Sequence, residues 1–527
     1  MTSLVVAAIL AAAALAPPAA SAGSGYRQDE AARIAAYAVE TNRDLELFFH
    51  DKARKPNSAQ SREIDRAINS FAQEDPSVRR EARIAALLRG ASAVKSLLAE
   101  LDKNETTAVN AIIVLADRGE KEALEPFRKA LADKKSGEGV RLMAALALGR
   151  MGDEASVPAL RSLLQENRHP DARAAAALAL ARLRATAAAK DLREVAERED
   201  SPKTRSWAIL AIGLMGEADP AGASFVVDVA KSKTESDRRA AALAIGLLAP
   251  EAGLAALVKL ARDEEDLVRA AAAAGLSRYR GKPEAKAALL ALQKDKSHEA
   301  RAAAIGALAA LGENEAAEAA RKRLGDPQER EIVRRASARA LGTLGGGGQE
   351  GLLALAAALG DGDDAVRSTA AVALARAGDK SAVAEIEKRL PLERKEFVRA
   401  DFVLALAALL GKDVASRIEK LPDRADAPAA VLARGLAPLL AEKDAPGAGD
   451  LVARLLAAAA LREGIGADED LFAAVNAELL RAFAILDKNL EVSRGREGQR
   501  SQAPPVKHLQ DLRVWFEDRP YVGAPAR

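Results

Sequence analysis

The chain contains no cysteine and few aromatic residues. Because none of its 527 residues is cysteine, disulfides, thiolate metal sites, cysteine nucleophiles and a lipidated amino-terminal cysteine are all excluded. Aromatic residues make up 3% of the chain and hydrophobic residues 49%, so the buried surface must consist mainly of Ala, Leu and Val. This composition favours closely packed helices. It disfavours sandwiches and barrels, which need more β-branched and aromatic residues.

The chain also lacks an excess of charge of either sign. Lys and Arg number 78 against 76 Asp and Glu, which gives a formal net charge of +2. The field of the whole chain is therefore weak, and we expect no nucleic-acid partner. This balance does not exclude local basic patches.

An apolar run at the amino terminus predicts export. Residues 4–15 are apolar, Pro17 and Pro18 follow, and Ala20-Ser21-Ala22 fits a small-residue cleavage site. We therefore predict a signal peptide over residues 1–22 and a mature protein in the periplasm or outside a bacterial cell. The run is shorter than the roughly 20 residues that a membrane span needs, and no later segment is apolar enough to be one. No Lys or Arg precedes the run, and an Ala-rich leader on a cytoplasmic protein is the alternative.

One phrase recurs along the chain, as in GVRLMAALALG at 139–149, SDRRAAALAIG at 236–246 and AVRSTAAVALA at 365–375. Its arginine recurs at steps of 31 to 33 residues, which is the signature of a repeat architecture. These repeat arginines are Arg141, Arg173, Arg205, Arg238, Arg269, Arg301, Arg334, Arg367 and Arg399.

Each repeat is predicted to contain two antiparallel helices. We number positions from the repeat arginine: position three is Ala in seven repeats and Ser337 or Phe402 in the others, position six is Ala or Gly, and position seven is Leu or Ile. Such spacing places small residues on one helical face that packs closely. A second amphipathic stretch precedes each phrase, for example at 157–167 or 254–264. The sequence therefore predicts an all-α fold, an α-solenoid (superhelix) of about nine two-helix repeats of roughly 32 residues, with degenerate repeats at both ends.

This pattern resembles HEAT repeats, in particular the short variety named after phycobilisome lyases. The resemblance covers residues 138–421, with weaker copies around 76–90 and 107–119. It implies that the arginine-bearing helices line the inner, concave side and that the preceding helices lie outside. It predicts the fold and leaves the function open, because such repeats serve scaffolds, adaptors and a few enzymes.

The register also suggests how the chain is divided. The predicted segments are a signal peptide at 1–22, an N-terminal helical cap at 23–75, a solenoid at 76–421 that is most regular over 138–421, a C-terminal helical cap at 422–493 and an irregular tail at 494–527.

Residues suited to catalysis are scarce. The four histidines, His50, His169, His298 and His508, are scattered and form no metal-binding spacing. The di-iron deoxyhypusine hydroxylases of the HEAT class carry several His-Glu pairs, whereas this chain has only His298-Glu299. The four glycines at 345–348 lack the Lys-Ser/Thr of a phosphate loop and are expected to form a loose turn between repeats. We predict no catalytic, metal or cofactor residues and no cofactor.

The repeat arginines are expected to be structural, because a residue present in every repeat serves the stacking rather than one ligand. An acidic residue recurs three positions before the arginine, in the first turn, where a carboxylate suits the helix dipole. We expect these acids also to pair with arginines of neighbouring repeats. They are Glu138, Glu235, Asp266, Glu331, Asp364 and Glu396.

A stripe of leucines is the candidate partner-binding surface. At 100° per residue, positions one, five, eight and nine lie opposite the core positions. The stripe comprises Leu146, Leu178, Leu210 and Leu243 at position five, Leu214 and Leu247 at position nine, Arg150 and Arg182 beside them, and Trp207 at the edge. Later repeats carry Ala274, Gly306 and Arg339 instead. An exposed apolar stripe would mark an interaction site. The alternatives are burial between adjacent inner helices or cover by the tail through Trp515, Phe516 and Tyr521.

These observations favour a non-enzymatic scaffold or adaptor that binds a protein or peptide along its concave face. A bilin-lyase-like enzyme or accessory factor, acting on a protein-attached chromophore, is the alternative suggested by the family resemblance. A spacer that binds nothing is a third reading. Neither the partner nor the oligomeric state can be read from the sequence.

Overall fold

A computed structural model describes residues 58–73, 79, 82–83, 86, 90–117, 119–166, 170–198 and 200–413. All regular elements in these ranges are helices. The chain divides into two compact units, the first ending at Arg278 and the second beginning at Tyr279. None of the described helices is long and apolar enough to cross a membrane.

The first unit contains thirteen described α-helices. They are α1 (Ser58–Asn69), α2 (Val94–Ala99), α3 (Glu105–Asp117), α4 (Leu124–Ala132), α5 (Glu138–Arg150), α6 (Val157–Gln165), α7 (Pro170–Arg182), α8 (Ala189–Arg198), α9 (Pro202–Met215), α10 (Gly222–Val229), α11 (Glu235–Leu248), α12 (Gly253–Leu260) and α13 (Asp266–Leu276).

The second unit contains eight described α-helices. They are α14 (Pro283–Leu292), α15 (His298–Leu311), α16 (Asn314–Leu324), α17 (Glu331–Thr343), α18 (Gln349–Ala358), α19 (Asp364–Ala377), α20 (Val383–Arg389) and α21 (Glu396–Leu410).

All nine arginine-bearing helices begin three residues before their arginine. Local start signals support this register in four of the nine helices. Ser201, Ser297 and Asp363 each cap a helix by accepting a hydrogen bond from a backbone N–H three residues later. Pro170 and Pro202 occupy the first helical position, where a missing N–H costs no bond.

The turns that follow these helices share a left-handed residue. In the described chain, such residues stand at 119, 152, 184, 216, 249, 281, 312, 345, 378 and 411, at steps of 31 to 33. Eight of the ten are glycine, which adopts positive φ without a Cβ penalty. The exceptions are Arg184, with φ 50°, and Ala249, with φ 46°.

Each unit is an α-solenoid of two layers. In the first unit the arginine-bearing helices pack in chain order, α5 on α7, α7 on α9, α9 on α11 and α11 on α13, and the intervening helices α4, α6, α8, α10 and α12 also pack in order. In the second unit α15 packs on α17, α17 on α19 and α19 on α21. We call the arginine-bearing layer the inner layer.

Inner helices approach each other closely through position eight of one helix and position six of the next. A Cβ on Gly149 would lie 2.6 Å from the Cα of Ala179, and one on Gly342 would lie 2.8 Å from the Cα of Ala373. A Cβ on Gly246 would lie 2.7 Å from the Cα of Gly275. Only small residues fit at such contacts, which explains why positions six and eight are Ala, Gly or Ser.

The four glycines at 345–348 form the turn between α17 and α18, and all four have positive φ. The turn is compact rather than loose, because a Cβ on Gly346 would overlap the side chain of Leu352. The predicted signal peptide, C-terminal cap and tail, most of the N-terminal cap, and Trp515, Phe516 and Tyr521 lie outside the described residues.

Candidate functional site

The repeat arginines bond to neighbouring parts of their own chain. In the second unit, Arg334 donates two hydrogen bonds of 2.9 and 2.8 Å to Asp361 and one to the carbonyl of Glu329. Arg367 donates bonds of 2.6 and 2.9 Å to Glu393. Each arginine thus joins its helix to the turn that precedes the next inner helix.

The first unit has the same arrangement. Arg141 is buried and donates bonds of 2.6 and 2.8 Å to Glu166, and Arg238 donates bonds of 2.7 and 2.8 Å to Asp263. Among the other repeat arginines, Arg173 donates to the carbonyl of Leu164 in α6, Arg269 to a carbonyl of its preceding turn, Arg205 to Asp237 in the first turn of α11, and Arg301 to Glu329, whereas Arg399 is half-buried.

The prediction that the acids three positions before the arginine pair with neighbouring repeat arginines is wrong where their contacts are described. Glu235 lies 3.7 Å from Arg239 of its own helix, and Asp364 lies 3.8 Å from Lys395. The partners come instead from the turn before the helix, because only that turn reaches the preceding arginine. A periodic column could have revealed these acids, since Asp263, Asp295, Glu329, Asp361 and Glu393 follow at steps of 32, 34, 32 and 32.

These turn carboxylates are held ionised. Burial alone would raise the pKa of Asp263, but hydrogen bonds from Arg238 and from the backbone N–H of Glu265 hold that pKa below its ordinary value. The pKa of Glu329 is lowered in the same way, against its burial, by Arg301 and a backbone N–H. The arginine ladder, meaning the repeat arginines with their turn carboxylates, is therefore a set of charge-assisted bonds.

The position-five leucines of the predicted groove are buried, so they form no exposed stripe, and the alternative of burial applies to them. Their exposed fractions are 2% for Leu146, 0% for Leu178, 3% for Leu210 and 4% for Leu243. Trp207 is also buried, at 4%. One cause is the close approach of successive inner helices, which narrows the space around a position-five side chain.

The remaining residues of the predicted groove are half-buried. These are Leu214 and Leu247 at position nine, together with Arg150 and Arg182. They lie near the C-terminal ends of α5, α7, α9 and α11, one on each helix. The structure therefore brings the nine candidates onto one layer of the first unit, without an exposed apolar stripe.

In the second unit the inner layer is exposed at parts of α15 and α17, whereas the position-five residues Val372 of α19 and Leu404 of α21 are buried. At positions five and nine, Gly306 and Ala310 of α15 are exposed, as is Thr343 of α17. A Cβ on Gly306 would meet no atom within 4 Å. Arg335 and Arg339 of α17 are half-buried.

Across the part of the chain that the structure describes, no three His, Asp or Glu side chains are grouped so that they could hold a metal ion. His298 pairs with Glu299, its Nε2 lying 3.0 Å from Oε1. The other three histidines lie outside the described residues.

Comparison with protein families finds HEAT repeats over most of the described chain. The family model matches residues 92–181, 162–246, 225–300, 254–342 and 328–407, which together span 92–407. This span exceeds half of the 527 residues.

Solved structures with similar folds include human deoxyhypusine hydroxylase, at 20% identity and a TM-score of 0.23, covering 57% of this chain and 98% of that one. The CpcE–CpcF complex of phycocyanin lyase from Nostoc is 19% identical, with a TM-score of 0.26 and coverage of 56% and 90%. Importin beta is 12% identical, with a TM-score of 0.36 and coverage of 90% and 73%. No curated protein matches the chain.

Proposed function

The chain belongs to the HEAT-repeat family, and from this premise we propose that it is a non-enzymatic scaffold or adaptor that binds a protein partner on its inner layer. Repeat stacks present extended surfaces that are suited to such binding. The partner's identity is left open by the fold, because this architecture hosts many functions.

The observation that carries the proposal is the exposed part of the inner layer at α15 and α17 in the second unit. Gly306 and Ala310 of α15 and Thr343 of α17 are exposed there, and Arg339 of α17 is half-buried. If the inner layer served only to hold the stack together, we would expect its surface side chains to be paired with other groups of the same chain. Here the surface combines small residues, which allow close approach of another backbone, with charged groups that can orient it.

We assign the arginine ladder to stacking rather than to partner binding. The bonds described for Arg141, Arg334 and Arg367 all run to carboxylates and carbonyls of their own chain. Their donors are therefore occupied by turns of the neighbouring repeat. A partner would have to break these bonds to use the same guanidinium groups.

Site-specific photo-crosslinking in the native host tests the scaffold proposal. The photoreactive residue p-benzoylphenylalanine would replace Thr343 on the inner layer or, as matched control, Leu353 on α18, which is 61% exposed. We expect a discrete protein adduct from position 343 and none of the same mass from position 353. Equal adducts from both positions, or none from position 343, would contradict the proposal.

The bilin-lyase alternative predicts that the protein binds a chromophore. Protein purified from its native source would carry a chromophore that absorbs visible light, or would transfer one to an acceptor protein. If the protein shows a visible absorption band, and substitution of inner-layer residues abolishes it, the lyase function would replace the scaffold proposal.

We also propose that the protein acts outside the cytoplasm. The support is the apolar run at 4–15 followed by Ala20-Ser21-Ala22. Amino-terminal sequencing of protein recovered from its native cells should give a mature chain that begins after Ala22. An intact Met1 on a cytoplasmic product would refute export.

A further inference from the structure

We propose that residues 29–50 dock as an amphipathic helix on the inner face of the first unit and cover this face in the free protein. The covered face consists of positions two and five of α5, α7, α9 and α11, which are Met143, Leu146, Ala175, Leu178, Trp207, Leu210, Ala240 and Leu243. The inference is independent of the scaffold proposal, whose site lies on α15 and α17 of the second unit.

Positions two and five lie on the side of each inner helix that the described stack leaves open. At 100° per residue, position six points to the preceding inner helix, position eight to the following one and position seven to the outer layer. The close approach of Gly149 to Ala179 joins positions eight and six. A Cβ on Gly222 of α10 would lie 2.8 Å from Cγ2 of Ile212 at position seven of α9. Positions two and five therefore point to the remaining, fourth side.

This fourth side is nevertheless buried in the first unit. All eight side chains of the covered face are at most 4% exposed, including the large Trp207 and Leu210. Position five of α13 and α15 carries the smaller Ala274 and Gly306, yet Ala274 is half-buried and Gly306 is exposed. Close approach of the inner helices alone would bury small residues at least as well as leucine. Because these exposed fractions are those of a single chain, another part of the same chain lies over the covered face.

The cover comes from the chain outside the described residues. Within the first unit, which consists of residues 1–278, the longest such stretch is 1–57, directly before α1. Residues 414–527 belong to the second unit. The seven residues at 51–57 can span up to about 25 Å when extended, which is about twice the diameter of a helix. They can therefore connect the start of α1 at Ser58 to a segment on the inner side.

Residues 29–50 carry a pattern typical of a helix with one apolar face. At 100° per residue, one side of this helix would hold Ile34, Ala38, Leu45, Phe48 and Phe49. A helix of 22 residues is about 33 Å long. The four inner helices from α5 to α11, packed about 8–10 Å apart, span about 24–30 Å. One helix can therefore lie across the whole covered face.

Charge on the segment complements the border of the covered face. Residues 29–50 contain five acidic residues and two arginines, which gives a net charge of −3. The border carries Arg150 and Arg182 at position nine of α5 and α7 and Arg239 at position one of α11, all half-buried. Acidic residues beside the apolar side of the segment can pair with these arginines. The docked segment thus competes with any partner for this face.

Photo-crosslinking within the purified full-length protein identifies the cover. p-Benzoylphenylalanine would replace Leu247, which is half-buried at position nine of α11, or, as matched control, the exposed Ala310 at position nine of α15. We expect mass spectrometry of the monomer to map the adduct of position 247 to residues 29–50 and to find no such adduct from position 310. An adduct with residues 414–527, an adduct of twice the chain mass, or no adduct beyond residues 58–413 would overturn the inference.

A thiol reporter tests the apolar contact, because the chain has no cysteine of its own. In a Leu146→Cys background, Leu45→Asp/Phe48→Asp would place two carboxylates against the covered face and release the segment. We expect maleimide to modify this variant at least about tenfold faster than the Leu146→Cys parent, with an unchanged urea midpoint of the helical signal. The matched control, Leu471→Asp/Phe472→Asp, should leave the rate unchanged. A rate that the first pair does not raise, or that both pairs raise equally, would also refute the assignment.

Discussion

The inner helices of the two units share a register but present different side chains to the inner surface. Position five is Leu178 or Leu210 in the first unit, and these side chains are buried, with exposed fractions of 0% and 3%. In the second unit it is the exposed Gly306 and the half-buried Arg339, followed by the buried Val372 and Leu404. The same repeat pattern therefore allows inner helices to stack in both units. The residue types at positions that the pattern does not fix determine where the inner surface is exposed and can bind a partner.

The largest expected effect on stability comes from a buried leucine of the first unit. Leu178→Ala should destabilise the protein by about 2–5 kcal/mol, because it leaves a cavity at a fully buried site. Leu353→Ala, at 61% exposure, should change stability by less than about 0.5 kcal/mol. Urea unfolding followed by circular dichroism measures both. A Leu178→Ala midpoint equal to that of Leu353→Ala would mean that Leu178 faces solvent.

Substitutions at two glycines of the second unit distinguish a position that packs against the next helix from a position that is exposed. Gly342→Ala places a Cβ 2.8 Å from the backbone Cα of Ala373, so we expect a loss of about 3 kcal/mol from overpacking. Gly306→Ala meets open space and should gain about 0.5–1 kcal/mol from helix propensity. Thermal melts of the two variants should shift in opposite directions. Shifts of the same sign would show that the contact between α17 and α19 is looser than described.

The arginine ladder is the feature that both units share, and acid should weaken it. Glu329 accepts hydrogen bonds from Arg301 and Arg323, and its pKa is lowered in the folded state. Its stabilising contribution is therefore complete above the unfolded pKa of about 4.3 and is lost as pH falls through the folded value. We expect Glu329→Gln to cost about 2 kcal/mol at neutral pH and less in acid.

The control for the ladder is Glu318→Gln, which changes an exposed glutamate on α16. Its unfolding free energy should follow the parent at every pH. If the difference between Glu329→Gln and the parent stays constant down to the acid limit, the stabilisation does not depend on the ionised carboxylate.

The smallest expected effect concerns the turns. Ala249 has the left-handed conformation, with φ 46°, that glycine supplies in most other repeats. Ala249→Gly should raise stability by up to about 1 kcal/mol, because it removes the steric penalty of the Cβ. Gly378→Ala, at φ 69°, is the reciprocal change and should lower stability by a similar amount. Differential scanning calorimetry resolves both shifts, and a lower Tm for Ala249→Gly would contradict the assignment.

The sequence predicted the helices well because their boundaries depend on local signals. The arginine spacing predicted nine helices, and each begins three residues before its arginine. In several of them Pro170, Ser201 or Asp363 provides the start or the cap. These signals act within one turn of helix. The fold class therefore followed from the repeat alone.

Exposure could not be predicted in the same way, because it depends on neighbouring helices. Helical geometry predicted positions one, five, eight and nine opposite the core, but position eight packs against the next inner helix, and position five is buried at Leu178 and exposed at Gly306. The partners of the ladder arginines were also missed, since Asp361 and Glu393 belong to turns that fold back from the next repeat.

Thiol labelling tests the central contrast most directly, because the chain has no cysteine of its own. Gly306→Cys and Leu178→Cys would each carry one reactive group at position five, on α15 and α7. Under native conditions, a maleimide should modify Gly306→Cys at a rate close to that of a small free thiol. It should modify Leu178→Cys only as fast as the helices open. Equal rates at the two sites, or protection of Gly306→Cys in the isolated protein, would contradict the finding that position five is closed on α7 and open on α15.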